Sequence, residues 1–600
     1  MIRLESQHDV SFPPDAVWPI LSKTDWLNRS VGLPPVSYDV KPRPEGGSAI
    51  KARTRILGQE LRWREIPFEW SRPDYYRVRR IFEAGPFAEA LLGMDLNANP
   101  DGGTRVVVYS EITPRHALGG WIARCLLGPK STRDMRRIMA HLQEYLRGRI
   151  PVCLPRLPVH PVHEIGLHSG LKLLRAAGQP PALVNRLEQF LRDTPDVELT
   201  HIRPFAVARQ WGADRWEVFR LFLHATRAGL LDLRWEILCP NCRASRDPLT
   251  TSLSRLKREA HCEVCHIKYD ADFDKSVELK FAVNPAVRSL DDQTYCLAGP
   301  GGKPHVASQL WLEPREERAW RIPHSLQPLR LCSSQVKETA LLPPETARAK
   351  GGGLSIRCDP AQFVITSVAD EKNSVRAVNP NPFPVLLSVE ETEWSDEILT
   401  AARAANWQEF RDLFATEVIS PTEQVAVGSL VVLFTDLRGS TALYRGIGDA
   451  PAYALVRDHF VILREVIGAQ HGTVVKTMGD AVMAAFSRVD EALAAVREIH
   501  RQIAAQPPLG AALALKSGLH LGPCLAVNAN GRLDYFGSTV NLAARLVECC
   551  HGGDLAVSEE FFARPELQEF SRATGSEPES LEIRFRGFES PHRVKRIRVL

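Results

Sequence analysis

The stretch Val431-Val432-Leu433-Phe434-Thr435-Asp436-Leu437-Arg438-Gly439-Ser440-Thr441 is an apolar run that leads directly into an aspartate and a small polar turn. A short apolar run of this kind is typical of a buried strand. Arg438, Gly439, Ser440 and Thr441 would then open the next helix, whose free backbone N–H groups can bind phosphate oxygens. The stretch therefore predicts a carboxylate held beside a phosphate-binding turn.

Two further motifs follow in the same part of the chain. The strand-like residues 472–475 precede Lys476-Thr477-Met478-Gly479-Asp480, which places a second carboxylate at a strand end. Farther on, residues 534–541 end in Asn541, and Arg545 follows on the same face of a predicted helix. Two carboxylates at adjacent strand ends can hold a pair of divalent cations.

These three motifs occur in the order typical of the class III nucleotidyl cyclase catalytic domain, and residues 426–600 therefore resemble that domain. The resemblance implies a ferredoxin-like α/β fold, closed by a hairpin over residues 581–600, and formation of a 3′,5′-cyclic nucleotide and diphosphate. It also implies that Asp436, Asp480 and the backbone carbonyl of Leu437 hold two Mg²⁺ or Mn²⁺ ions. Asn541 would position the ribose, and Arg545 would stabilise charge on the α-phosphate.

The resemblance also bears on the substrate. Lys476 can donate to adenine N1 and Asp534 can accept from the adenine amine, as in adenylyl-type members, whereas guanylyl-type members tend to carry Glu and a small polar residue. Arg586 stands where the family usually has a Lys for the terminal phosphates, and Arg keeps the charge but changes the donor geometry. We therefore expect an adenylate cyclase acting on ATP, with a guanylate cyclase as the alternative.

In this family the active site is shared between two chains. The metal-binding aspartates come from one chain, and the base-reading pair with the Asn and Arg comes from the other. Since this chain carries both halves, we expect a homodimer with two sites.

Length and composition indicate several domains, because 600 residues exceed what one core usually holds. The net charge of +4 is too small to indicate a nucleic-acid partner by itself. No apolar run is long enough to span a bilayer, and residues 1–9 lack the apolar core of a signal peptide. We therefore expect a cytoplasmic protein whose 12 cysteines are thiols or metal ligands.

Residues 1–150 have the pattern of one α+β unit: a strand, a short helix, several strands and a closing helix near residues 131–146. This order resembles the helix-grip fold of START-like, polyketide-cyclase-like proteins. That fold often encloses an apolar cavity, so a small apolar ligand is one expectation. The alternative is that the same side chains simply fill the core.

A Pro-rich linker separates this unit from residues 162–236, which are predominantly helical. Helices over residues 204–211 and 214–228 and a strand over 230–238 form a winged-helix-like pattern. Three arginines on the second helix could face a phosphate backbone, but its aromatic residues favour packing. A DNA-binding regulator with a nucleotide-sensing cyclase-like domain is therefore the alternative of a different class, and the complete catalytic set argues against it.

Two cysteine pairs in residues 237–274 have the spacing of a zinc ribbon: Cys239, Cys242, Cys262 and Cys265. Four thiolates would complete the tetrahedron around Zn²⁺ and leave no open position, so the predicted site is structural. The alternative is a ribbon that no longer uses its metal.

The rest of the chain leads to the cyclase-like domain. Residues 275–393 contain short strand-like runs broken by Gly and Pro, which predict an all-β region. Residues 394–425 predict a linker helix that begins after Ser395 and ends near residue 414. We expect this helix to transmit regulation from the N-terminal units, with a plain connector as the alternative.

Overall fold

The computed structural model describes the chain apart from residues 57, 241–242, 244–251, 263–266, 292, 324, 326–327, 343–352, 369–374, 416, 421–422, 506–513, 589 and 600. The side chains of Thr441 and Leu443 also lie outside the description. No helix of the described residues is long and apolar enough to cross a membrane.

The N-terminal part is an antiparallel sheet packed against a long helix. Its strands are β1 Ile2–Val10, β2 Ser37–Pro42, β3 Ser48–Ile56, β4 Gln59–Glu65, β5 Glu69–Ser71, β6 Tyr75–Ala84, β7 Phe87–Ala98 and β8 Thr104–Pro114. Its helices are α1 Pro14–Leu21, α2 Thr24–Ser30, α3 Ala117–Trp121 and α4 Gly128–Leu146. Met135, Ile138, Met139 and Leu142 of α4 are buried in the core with Trp18. These four residues form one apolar stripe on the predicted closing helix, and the stripe packs against the sheet.

A second β-rich part extends this sheet with four of its eight strands, and the other four form a separate sheet. Its strands are β13 Val306–Leu312, β14 Glu317–Trp320, β15 Leu329–Ser333, β16 Ala340–Leu341, β17 Gly353–Cys358, β18 Phe363–Val368, β19 Val375–Val378 and β20 Val385–Glu391. Strand β13 pairs with β5, with Ser308 opposite Ser71. The indole N–H of Trp70 donates to the carbonyl of Val306 at 2.9 Å. The units predicted as separate over residues 1–150 and 275–393 are therefore joined through one sheet.

The middle part is mainly helical. Its elements are α5 Glu164–Ala176, α6 Pro181–Asp193, α7 Asp196–Leu199, α8 Pro204–Trp211, α9 Arg215–Arg227, β9 Leu231–Ile237, β10 Glu259–Cys262, β11 Ile267–Asp270 and β12 Val277–Val283. Strand β12 pairs with β9, and every residue of β12 is buried. This pairing places residues 277–283 with the helical unit rather than with the all-β region in which they were predicted.

Helix α9 is the predicted second helix of the winged-helix-like pattern, and it faces the protein. Trp216, Phe219 and Leu223 are buried in the core. Arg220 donates to Glu409 at 2.5 Å, and the guanidinium of Arg215 lies 5.5 Å from the ring centre of Phe205. Two of the three arginines considered for phosphate contact are thus engaged within the chain.

The prediction of one linker helix is wrong. The segment instead forms two short helices, α10 Ala401–Ala405 and α11 Gln408–Leu413. Trp407 separates them in an extended conformation and is buried, with its ring stacked 4.9 Å from that of Phe219. The helix breaks because tertiary packing of this side chain outweighs local helix propensity.

The C-terminal part is an α/β domain. Its elements are β21 Val425–Arg438, α12 Ser440–Ile447, α13 Asp449–Ala469, β22 Thr473–Met478, β23 Ala481–Phe486, α14 Val489–Ala505, β24 Ala514–Ala529, β25 Arg532–Phe536, α15 Ser538–Leu546, β26 Asp554–Ser558, α16 Glu559–Phe562, α17 Pro565–Ala573, β27 Glu579–Ile583 and β28 His592–Arg598. The sheet order is β22-β23-β21-β24-β26-β28-β27, with β25 paired to β24. The final two strands form the predicted hairpin.

Alternate residues of the central strand β21 contact different parts of the molecule. Val431 and Leu433 pack against the helices of this domain, including α13 and α14. Val432 and Phe434 belong instead to the core that also contains Trp407 of the connector. One face of the catalytic sheet is therefore packed with residues from the middle part of the chain.

Candidate active site

The two predicted carboxylates lie at the same end of neighbouring strands. Asp436 follows Thr435 on β21, and Thr435 is paired with Val482 of β23. Asp480 lies two residues before Val482, in the tight turn between β22 and β23. Gly479 of this turn has φ +64°, which a glycine adopts without strain. The β21–β23 pairing thus places Asp436 and Asp480 at one edge of the sheet.

A lysine that the sequence analysis did not select pairs with the first carboxylate. Lys516 is opposite Asp436 in the β21–β24 ladder, and its Nζ lies 3.1 Å from Asp436 Oδ2. The only sequence signal is a cation inside the otherwise apolar start of β24. Its partner could be found only once the register of the two strands was known.

The second carboxylate has an unsatisfied acceptor. Asp480 Oδ2 is buried and has no hydrogen-bond partner among the described residues. The nearby His459 on α13 is fully buried, and burial lowers its pKa to about 4 although the charge of Asp480 acts in the opposite direction. The imidazole is therefore neutral at neutral pH, and it leaves the charge of Asp480 uncompensated.

These oxygen donors fit a divalent cation. Mg²⁺ and Mn²⁺ prefer carboxylate and carbonyl oxygens, and a buried carboxylate without a donor is costly unless a cation compensates it. The described residues contain no cluster of three or more His, Cys, Asp and Glu side chains suited to a metal. The predicted set of the Asp436 and Asp480 carboxylates with the main-chain carbonyl of Leu437 stays a prediction, and the side chain of Leu437 is buried in the core.

The turn after Asp436 opens helix α12. Gly439 has φ +79° and is the residue before the first turn of the helix. Arg438 is exposed, and its Nη1 donates to the carbonyl of His551 at 3.0 Å. Ser440 is half-buried at the first position of the helix, and the side chain of Thr441 lies outside the described residues. A helix therefore begins at this turn as predicted, and phosphate binding there stays a prediction.

The predicted base-reading residues are in direct contact. Lys476 Nζ on β22 lies 2.7 Å from Asp534 Oδ2 on β25. The other carboxylate oxygen, Oδ1, accepts from the backbone N–H of Tyr535 at 2.8 Å. The Asp534 side chain is 10% exposed and that of Lys476 is 34% exposed. One chain therefore assembles a donor and an acceptor from two strands into a partly buried pair.

The remaining catalytic candidates lie on exposed surfaces. Asn541 is exposed on α15, and the Arg545 side chain, one turn later, is 41% exposed and pairs with Glu548. Helix α15 lies very close to β24. A Cβ at Gly518 of β24 would be only 2.7 Å from the carbonyl oxygen of Ala543, so the close packing requires glycine there. Arg586 is exposed on the loop between β27 and β28.

The structure describes half of the predicted zinc set. Cys239 and Cys262 are buried in one small cluster, against Ile267 and Tyr269. Cys242 and Cys265 lie outside the described residues. The zinc ribbon therefore stays a prediction.

The N-terminal part encloses a cavity of about 290 Å³ between its sheet and helix α4. Its lining is largely apolar and includes Leu27, Tyr76, Met94 and Met135. Cys296 also lines it, although this residue follows the middle part of the chain. The cavity agrees in place with the predicted apolar pocket, and an occupant stays a prediction.

Comparison with known families agrees with this geometry. The model of the adenylate and guanylate cyclase catalytic domain matches residues 422–582. The C-terminal part of the chain is a class III cyclase catalytic domain. The polyketide cyclase/dehydrase and lipid transport family matches residues 1–147, so the N-terminal part is a polyketide cyclase-like domain. A family of unknown function, DUF5939, matches residues 166–294 across both the helical unit and the cysteine pairs.

Several relatives match part of the chain. An adenylate cyclase of Podospora anserina is 31% identical over 169 residues, covering 24% of this chain and 8% of that protein. One from Neurospora crassa is 28% identical, covering 30% of this chain and 8% of its own length. An uncharacterized protein of Mycobacterium tuberculosis is 33% identical, covering 21% of this chain and 32% of its own. The chain thus spans a third or less of each of these relatives.

Among solved structures, the adenylyl cyclase CyaB from P. aeruginosa is 23% identical, with a TM-score of 0.25. The match covers 29% of this chain and 95% of that structure.

Proposed function

We propose that the protein is an adenylate cyclase that converts ATP to 3′,5′-cyclic AMP and diphosphate. The observation that carries this proposal is that Lys476 Nζ on β22 and Asp534 Oδ2 on β25 lie 2.7 Å apart. The pair offers one donor and one acceptor. Adenine presents the complementary acceptor at N1 and donor at its amine.

Each member of the pair exchanges its present partner for the base. Lys476 donates to adenine N1, and Asp534 Oδ2 accepts from the exocyclic amine. Asp534 Oδ1 keeps its bond from the backbone N–H of Tyr535, so the carboxylate stays oriented during the exchange. The cost of separating the ion pair is offset by two new hydrogen bonds in a partly buried site.

The triphosphate of ATP binds at the edge of the sheet where Asp436 and Asp480 lie. Asp436, Asp480 and the Leu437 carbonyl are the residues that would hold two divalent cations. Such cations would lower the pKa of the ribose 3′-hydroxyl and neutralise negative charge on the triphosphate. The backbone N–H groups that open α12, at residues 439–441, and the exposed cations Arg438 and Arg586 bind phosphate oxygens.

Asn541 and Arg545 act together with Lys476 and Asp534 from one copy of the chain, on the nucleotide whose cations are held by Asp436 and Asp480 of the other copy. From α15 the asparagine orients the ribose, and the arginine stabilises charge on the α-phosphate. An uncovered apolar patch supports this homodimer: Phe536 is 51% exposed, its cross-strand neighbour Leu525 is 39% exposed and Met478 is 43% exposed. The patch borders the base-reading pair, since Lys476 lies 5.3 Å from the ring centre of Phe536.

The other parts of the chain have proposed roles as well. Cys239, Cys242, Cys262 and Cys265 hold one structural Zn²⁺. The cavity of the polyketide cyclase-like domain takes a small apolar ligand, and the N-terminal units regulate the rate of cyclisation. Helix α9 packs on the protein through Trp216, Phe219 and Leu223, which argues against the DNA-binding alternative.

Product identification tests the proposed activity. Purified protein is incubated with ATP or GTP and Mn²⁺, and the products are separated by chromatography. We expect cyclic AMP from ATP and little cyclic GMP, with loss of activity in Asp436→Ala and Asp480→Ala. Cyclic GMP as the main product would support the guanylate cyclase alternative, and no cyclic product from active-site-intact, folded protein would refute the proposal.

Subunit mixing tests the shared site. Asp436→Ala and Arg545→Ala should each be inactive alone, and an equimolar mixture should recover part of the activity. Exchange produces some interfaces with both defects and others with neither. Absence of recovery, after exchange has been verified with differently tagged subunits, would exclude the shared arrangement.

A further inference from the structure

A short connector segment, residues 406–411, contacts both strands that carry the base-reading pair. It begins between α10 and α11 and continues into α11. The pair itself depends on the spacing of β22 and β25, which do not pair directly with each other. Whatever fixes these strands relative to one another also fixes the distance between Lys476 and Asp534.

Two connector side chains hold the residues on either side of Asp534. The hydroxyl of Tyr535 donates to Asn406 Oδ1 at 2.7 Å, and Tyr535 is fully buried. Arg411 Nη1 donates to the carbonyl of Leu533 at 2.9 Å, and its guanidinium lies 5.7 Å from the Tyr535 ring centre. Asp534 therefore lies on a strand segment that is restrained on both sides.

A third connector side chain holds the strand of the lysine. Gln408 Oε1 accepts from the backbone N–H of Val474 at 2.9 Å and from the hydroxyl of Thr473 at 3.3 Å. The β22–β23 register shifts between Val474 and Lys476. Gln408 thus contacts β22 next to this irregularity, two residues before the lysine.

The connector is in turn attached to the helical unit. Trp407 packs against Trp216 and Phe219 of α9, at ring-centre distances of 5.4 and 4.9 Å. Glu409 accepts from Arg220 at 2.5 Å, and His224 Nε2 lies 2.9 Å from it. Movement of the helical unit would therefore carry the connector, and with it both strands of the pair.

We infer that Asn406, Gln408 and Arg411 are positioning residues for adenine recognition. They hold β22 and β25 at the spacing that lets Lys476 and Asp534 present their groups to one base. The inference rests on the proposed adenylate cyclase function and deepens it, because it places selectivity partly in residues outside the catalytic domain match. It also identifies where the N-terminal units can act on the site.

Two nearly isosteric variants test this inference in the full-length protein. Tyr535→Phe removes the hydroxyl that bonds to Asn406, and Gln408→Met removes the amide at similar length. We expect each to raise the KM for ATP about 3- to 10-fold, as for loss of one partly buried hydrogen bond. The ratio of kcat/KM for ATP to that for GTP should fall by a similar factor, while kcat stays within about twofold.

Arg501→Ala is the matched control. It breaks an exposed ion pair with Glu498, and both partners lie on α14 rather than on the connector, β22 or β25. In this control, the ratio of kcat/KM for ATP to that for GTP should equal the wild-type ratio. Thermal melts of all variants identify any loss of fold, and a lowered melting temperature with unchanged selectivity would assign the residues a purely structural role.

The outcomes separate the two proposals. An active, ATP-selective wild type with unchanged selectivity in both variants would overturn this inference and leave the proposed function intact. A wild type without cyclase activity would overturn the proposed function and this inference together. Reduced selectivity in Tyr535→Phe and Gln408→Met, but not in Arg501→Ala, would support both.

Discussion

Replacing the base-reading pair should remove the preference for ATP. Guanine presents N1–H as a donor and O6 as an acceptor, which is the reverse of adenine. In the wild type, N1–H would face the Lys476 ammonium and O6 would face the Asp534 carboxylate. Both contacts are repulsive or unpaired, so GTP should bind and react poorly.

The exposed fractions of the two side chains determine the expected size of the preference for ATP over GTP. An unpaired buried polar group costs about 1–3 kcal/mol. Lys476 is 34% exposed, so water compensates part of its loss, and we assign it about 1 kcal/mol. Asp534 is only 10% exposed, and we assign it about 2–3 kcal/mol. The sum of about 3–4 kcal/mol corresponds to a preference of roughly 10²- to 10³-fold.

The assay is kcat/KM for ATP and GTP with Mn²⁺, for the wild type, each single alanine variant and the double variant Lys476→Glu/Asp534→Cys. Asp534→Ala should reduce selectivity more than Lys476→Ala, because the carboxylate is more deeply buried. The double variant should turn over GTP, with lower total activity. A wild type that cyclises GTP as efficiently as ATP would refute this assignment of the pair, although the carboxylate edge would keep its proposed role.

Three other outcomes are expected. The purified protein should contain about one Zn²⁺ per chain, and full zinc content in a Cys242→Ser/Cys262→Ser double variant would exclude the ribbon. Burial lowers the pKa of His500 to about 4 from about 6.5, so the unfolded state binds more protons and the free energy of unfolding should fall as the pH drops from 6.5 to 4. Urea titrations should find this dependence flatter in His500→Gln, and equal slopes would contradict it. Deleting residues 1–150 removes β5 and so exposes the unpaired backbone of strand Val306–Leu312, which should promote aggregation. Light scattering would measure this, and a monodisperse truncated protein would contradict it.

Sequence alone located the catalytic domain and most of its candidate residues. The apolar run before Asp436, the glycine turn before Asp480 and the helical spacing of Asn541 and Arg545 are local signals. Each depends on residues only a few positions apart, so periodicity and turn chemistry are enough to recognise them. The same holds for the apolar stripe of α4, whose burial is confirmed.

Tertiary structure decided the features that depend on distant contacts. The connector breaks at Trp407 because aromatic rings from α9 surround it, and no local signal predicts that. Strand β12 pairs with β9 although 39 residues separate the two strands, and this distant pairing is why the sequence placed β12 in the all-β region instead. The pairing of β5 with β13 also depends on distant residues, because the sequence of an edge strand does not specify which strand it pairs with.

The active site divides in the same way. The sequence was enough to propose which side chains carry chemistry, because Lys476 and Asp534 were recognisable by type and order. Only the folded chain determined their environment: Lys516 beside Asp436, the unsatisfied oxygen of Asp480, and the connector that restrains both strands of the pair. These depend on strand register and domain packing, which are set by the whole core rather than by any one segment.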